Sequence, residues 1–176
     1  MASDRKVVPV LEQELEYRFQ ELLNQLAMLS KTEAKWLPTR NSMTLETIKM
    51  WNAKGSDWLE AQRFDPLSTI EFKVIHLAHC KIMYDDYAFR EGKLKWSTLD
   101  SPEWPVCVNY LEETQNRLME SIRLLTDQQL KQEVSTNWGD LWPIKKIIFT
   151  MIHHDSYHHG QINTIRKLYR TKKESF

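Results

Sequence analysis

The stretch HHDSYHHGQ, residues 153–161, concentrates four histidines in nine positions. His154 and His158 stand four apart. On a helix that spacing stacks two imidazoles one turn apart on one face, close enough to share a metal ion. The flanking sequence has the matching period. Ile147, Met151, His154, His158, Ile162 and Ile165 step by 4, 3, 4, 4 and 3, which makes one buried stripe. Two histidines therefore take places that otherwise go to Ile and Met. An imidazole there is costly to bury unless it is hydrogen-bonded or metal-bound.

Zinc and its neighbours need at least three protein ligands, with a position left open where the site is catalytic. The segment FKVIHLAHCKIMYDDY, residues 72–87, supplies candidates. Phe72, His76, Met83 and Tyr87 share one helical face, so His76 again replaces a core residue. His79 and Cys80 lie one turn further on, and either can reach the same side. A lone histidine is better read as an ordinary core or surface residue, and a lone Cys80 as a small buried hydrophobe. An i,i+4 pair inside an apolar stripe, joined by a core histidine on a second helix, shifts the balance. It favours a metal held by His76, His154 and His158 within a bundle, where such sites are built. His153 and His159 point to the flanks of the stripe.

Two polar neighbours are candidates for a supporting role. Gln161, three residues after His158, can bond a ligand imidazole or a bound water. Asp155 either orients an imidazole or is a solvated helix residue. The HExxH protease pattern is not met, because position 155 is Asp. No carboxylate is clearly placed as a general base, and no Ser/His/Asp order is readable. Trp138 and Trp142 precede the histidine segment and can wall a pocket above it, although ordinary loop packing is the better reading for either alone.

Four long helical patterns must position these residues. The first spans about 9–30, on a stripe of Leu11, Leu15, Phe19, Leu22, Leu26 and Leu29. Residues 31–65 are irregular, with short extra helices expected and with Ile48, Trp51 and Trp58 packing outside a bundle. The second long helix opens near Asp65-Pro66, or at a capping box of Ser68 and Glu71, and ends near Gly92. The third follows Ser101-Pro102 to about Leu125, on Val108, Leu111, Gln115, Leu118, Ile122 and Leu125. Thr126-Asp127 starts a turn or short helix, and 133–141 is a short hairpin or a loop. The fourth runs from Pro143 to about Tyr169, followed by a charged tail. Narrow stripes without strand alternation predict an all-α, antiparallel four-helix bundle forming one domain over 1–176.

Composition bounds the rest. The chain is 41% hydrophobic and 27% charged, which fits a globular protein and not a disordered one. Lys plus Arg equals Asp plus Glu at 24 each, so the usual electrostatic case for nucleic acid or anionic membrane is missing. No leader or membrane span is read in the N-terminal residues. Cys80 and Cys107 form no CxxC pair, and free thiols in a cytoplasmic protein are expected. The four glycines form no phosphate loop.

Two strings carry a family resemblance. MIHHDSYHHGQINTIRKL resembles the fourth-helix motif of the DinB/YfiT-like proteins, His-x-x-x-His-x-Gly-Gln-Ile, and VIHLAHCKIMY resembles their second-helix motif. The likeness covers about 65–170 well, the first helix loosely and 31–65 poorly. It implies a four-helix bundle binding a divalent metal, zinc or nickel, through His76, His154 and His158, with water in the open positions. It implies a metal-dependent transferase that activates a low-molecular-weight thiol such as bacillithiol or mycothiol, or a related hydrolase. The expected partner is a small-molecule substrate, with a homodimer as the expected assembly. A non-catalytic metal-binding stress-response module is the reading from another class.

Overall fold

The computed structural model describes residues 5–47, 67–94, 103–137 and 139–174. The expected elements at Ile48, Trp51, Trp58, Asp65-Pro66, Ser101-Pro102 and Trp138 lie outside them. The described residues are overwhelmingly helical: α1 (Val8–Leu26), α2 (Lys31–Ala34), α3 (Ile70–Phe89), α4 (Trp104–Arg123) and α5 (Ile144–Glu174). A single 3₁₀ turn, Gln129–Lys131, and a two-stranded ribbon, β1 (Glu133–Ser135) and β2 (Leu141–Pro143), separate α4 from α5. The ribbon is antiparallel, pairing Val134 with Trp142. Its turn uses Gly139 at φ 86°, a backbone state that suits glycine. No helix of the described residues is long and apolar enough to cross a membrane.

Each helix starts and stops for a local reason. α1 begins where the Asp127 carboxylate accepts hydrogen bonds from the backbone N–H groups of Lys6, Val7 and Val8 at 2.7–3.0 Å. Those donors are the ones a helix leaves unsatisfied. α1 ends at Leu26, four residues earlier than its stripe suggests, because Ser30 already caps α2 through the N–H of Glu33. α3 starts one residue later than a Ser68 cap would give. Thr69 is the cap, its hydroxyl accepting from Phe72 N–H at 3.1 Å. Gly92, at φ 64°, closes α3 by donating to Asp86 O. α5 does not stop near Tyr169 but continues to Glu174, because nothing between them breaks a helix and Lys172 and Lys173 suit its C-terminal end.

The bundle closes as a ring in which α1 packs on α4 and α5, and α3 packs on α4 and α5. Cross-helix contacts give the directions. Lys73 meets Gln161, His76 meets His154, and Lys81 meets Asp155, so α3 and α5 are antiparallel. Two apolar clusters define the ends. One gathers Phe19, Leu22 and Leu26 with Ile70, Val74, Leu111, Ile162 and Ile165. The other gathers Val8, Leu11 and Leu15 with Tyr84, Leu118, Ile122, Ile147 and Met151. By the same test α1 and α4 are antiparallel, whereas α3 runs alongside α4 in the same sense, as α1 does alongside α5. The parallel α3–α4 pair is possible because about 14 extended residues reach up to ~45 Å and a 20-residue helix is about 30 Å long.

Between the two apolar ends lies a polar waist. His76, His79 and Lys81 of α3, Gln115 of α4, and Asp155 and His158 of α5 are all buried there. The residues of interest sit at this level.

Candidate metal centre

Two helices bring three imidazoles together. His154 Nε2 lies 3.2 Å from His76 Nε2 and 3.1 Å from His158 Nε2. The rings meet edge to face, with centroids 5.0 Å apart for both His76–His154 and His76–His158 and 4.5 Å for His154–His158. Two nitrogens bound to one tetrahedral zinc at 2.0–2.1 Å stand about 3.3–3.4 Å apart. The two separations to His154 are close to that, so each of these pairs is spaced as two nitrogens on a shared divalent ion would be. Among the described residues, His76, Cys80 and His154 place ligand atoms all within 4.8 Å of one another, and His158 joins them through His154. Cys80 Sγ is 3.7 Å from His76 Nε2.

The surroundings hold these rings neutral. Desolvation is the main cause throughout. It brings His154 down to about 4 and, with His154 and Lys73 adding their charges, His158 to about 2. His76 lies well below its ordinary value through desolvation, then through His158 and His154. A ring that stays unprotonated at neutral pH keeps the lone pair a metal needs. Phe72 stacks on His76, nearly parallel at 17°, and Tyr157 packs edge-on against His158, so apolar rings shield two of the three.

The supporting residues divide differently from the sequence reading. Asp155 is fully buried, but it reaches away to Lys81, whose Nζ donates at 2.7 Å. It is thus held by Lys81 in the interior and is not a solvated helix residue. Gln161 accepts from Lys73 Nζ at 2.9 Å and weakly favours the protonated form of His158. His79 is buried against Tyr110 of α4, ring centroids 5.9 Å apart. His153 is exposed and His159 partly so. Trp142 lies under Lys146, 3.7 Å from its ring centroid, at the ribbon. Trp138 is outside the described residues.

Sequence reasoning missed most of the buried charges, Lys81, Asp85 and Arg166 among them. Lys81, with no exposure, also lies 5.2 Å from the Phe19 ring centroid. Asp85 accepts from Arg90, Arg117 and Ser121, tying α3 to α4. Arg166 donates to Glu33 and to Gln25 O, tying α5 to α2 and α1. Lys81, like the buried Lys73, carried a usable sign. Both sit in FKVIHLAHCKIMY, a run too apolar for a solvated face.

Comparison with known proteins completes the picture. Curated proteins give no match. A solved structure, the conserved protein of a locus from Enterococcus faecalis, shares the fold at a TM-score of 0.62 with 13% identity. The alignment covers 93% of this chain and 96% of that one. The family model of the DinB superfamily matches residues 12–162, from the first turn of α1 through the histidines of α5. With the helix order, the paired imidazoles and this match in agreement, the chain belongs to the DinB superfamily.

Proposed function

We propose that the chain binds one divalent metal, zinc or nickel, through His76, His154 and His158, and uses it to activate a low-molecular-weight thiol against a small electrophile. The observation that carries the reading is that the His154 nitrogen lies 3.2 Å from that of His76 and 3.1 Å from that of His158, all three rings held neutral by burial. A bound divalent ion lowers the pKa of a thiol or water at an open position. The three rings bring no charge of their own, so the ion's charge is undiminished. Phe72 and Tyr157 limit water at the rings. Asp155 is engaged with Lys81, so it is not available as a general base. That favours a nucleophile acidic enough to ionise on the metal unaided, and a thiol starts near 8.5 where water starts near 15.7.

The partner in this reading is a small molecule and not nucleic acid, in keeping with the balanced charge. The assembly is a homodimer and the location cytoplasmic. The test is metal content of the purified chain and of His76→Ala, His154→Ala and His158→Ala, followed by a panel of thiols and electrophiles with and without chelator. We expect near-stoichiometric metal in the parent, a loss of at least about tenfold in affinity in each variant, and chelator-sensitive thiol transfer. Full metal retention by His158→Ala would remove the ligand assignment. Chelator-sensitive hydrolysis without thiol dependence would make the chain a hydrolase, and metal without turnover would make it a binding module.

A further inference from the structure

We infer that Cys80 is a fourth protein ligand, so that the metal centre of this chain is made of three imidazoles and one thiolate. The inference rests on the metal-site reading above and adds a donor to it. Cys80 follows His76 by four residues, as His158 follows His154. Each pair stacks on one face of its own helix. Because α3 and α5 run antiparallel, the two pairs face each other at the waist, two donors from each side. His76 and His154 come to 3.2 Å across that interface, and Cys80 Sγ to 3.7 Å from His76 Nε2. For a tetrahedral ion with a metal–sulfur bond of 2.3 Å and a metal–nitrogen bond of 2.0–2.1 Å, the nitrogen–sulfur separation is about 3.6 Å. The sulfur therefore stands at ligand distance from His76, and it and the ligand atoms of His76 and His154 all lie within 4.8 Å of one another.

The alternative is a thiol that merely packs. Burial pushes the Cys80 thiol up to about 12, so without a metal it is a neutral group. Coordination breaks the S–H bond, forms a sulfur–metal bond and releases the proton to solvent. The resulting donor set is softer than three imidazoles and selects zinc over hard ions such as magnesium. It also revises the proposed chemistry, because the thiolate would offset one unit of the ion's charge and fill the open position, so that an incoming thiol would enter by displacing Cys80. An incoming thiol can exchange for Cys80, its proton passing to the departing Cys80 sulfur. Cys80 would then be a thiol again, its place taken by the incoming sulfur. This exchange needs no carboxylate base, and none is at hand in the described cluster. Cys80 and His154 are the residues of the group with intermediate exposure.

Cobalt(II) tests this without an activity assay. Added to the metal-free parent chain, cobalt is expected to give intense visible bands from tetrahedral coordination and a near-ultraviolet sulfur-to-cobalt charge-transfer band. In Cys80→Ser the charge-transfer band is lost while visible bands remain, and zinc affinity falls at least about tenfold. The chain has two cysteines, so Cys107→Ala serves as the second variant. Retention of the band there assigns the sulfur to Cys80 even if Cys80→Ser does not fold. Visible bands with no charge-transfer band in the parent would overturn Cys80 as a ligand and leave the three-imidazole reading standing. A charge-transfer band lost in Cys107→Ala would also overturn it. A parent that takes up no cobalt and no zinc would overturn both.

Discussion

At the residue scale, the centre is defined as much by Lys81 and Asp155 as by the histidines. The two are fully buried, one on each histidine-bearing helix, adjacent in sequence to Cys80 and His154. Desolvation raises the Asp155 pKa, and the Lys81 charge and hydrogen bond oppose that shift. The pair fixes the relative height of α3 and α5. Removing one partner leaves a buried charge with no counter-ion, typically costing about 3–5 kcal/mol, whereas replacing both with apolar groups of similar volume is often near neutral. Lys81→Met alone is therefore expected to lower stability by about that amount, and Lys81→Met with Asp155→Leu to recover most of it. Urea unfolding of the single and double variants measures this. A single variant as stable as the parent would show that the pair holds nothing. The double variant is also informative about the centre. If it folds but binds metal more weakly, the pair's contribution is to register rather than to stability.

At the element scale, α3 is capped at its start by the Thr69 hydroxyl, beside the Thr69 N–H bond to Met43 O and the Lys35–Glu71 ion pair. Thr69 is buried and caps Phe72 N–H, two turns before His76. Thr69→Ala is expected to cost about 1 kcal/mol and to lower the melting temperature by roughly 2–4 °C. Metal affinity should hold, because the Lys81–Asp155 contact, not the cap, sets the height of His76. A calorimetric melt with zinc titration checks both parts. The same helix shows what the sequence reveals and what it hides. The places of Phe72, His76 and Met83 in the interior were readable from apolar spacing, but α3 has no narrow stripe, since 16 of its 20 residues are buried. The i,i+4 pair on α5 was readable from the same kind of spacing. Helix ends were less so. Thr69 looks like any threonine beside Ser68, and the charged residues after Tyr169 read as a tail although lysines near a helix C-terminus favour its continuation. The parallel setting of α3 and α4 was not legible, since periodicity carries no direction. Neither were Asp85 with Arg117 or Lys81 with Asp155, because a charge on a helix reads as solvated until its partner, dozens of residues away, is placed.

At the scale of the whole molecule, two apolar clusters enclose a polar waist, and its histidines link folding to pH. His79 and His154 are brought down to about 4, His158 to about 2, and His76 well below its ordinary value, each chiefly by burial. In the unfolded chain all four titrate near 6.5. Below that pH the unfolded state binds protons first, so the metal-free fold loses stability as pH falls from about 6.5 through about 4. Each ring well inside its window contributes a slope of at most about 1.4 kcal/mol per pH unit. Glu71 and Asp155 act in the opposite sense. Desolvation raises both, against Lys35 in one case and Lys81 in the other, so the fold takes up their protons first as pH falls. Four rings outweigh two carboxyls, and the net expectation is a steep decline. Metal counteracts it near neutrality, because binding only the folded, unprotonated rings adds to stability by mass action. Urea midpoints of the chelated chain should therefore fall between about pH 6.5 and about pH 4.5, and added zinc should raise them most at the top of that range. A chelated midpoint that stays flat across the range would mean that the rings accept protons in place, which the apolar clusters above and below them do not permit without hydration of the waist.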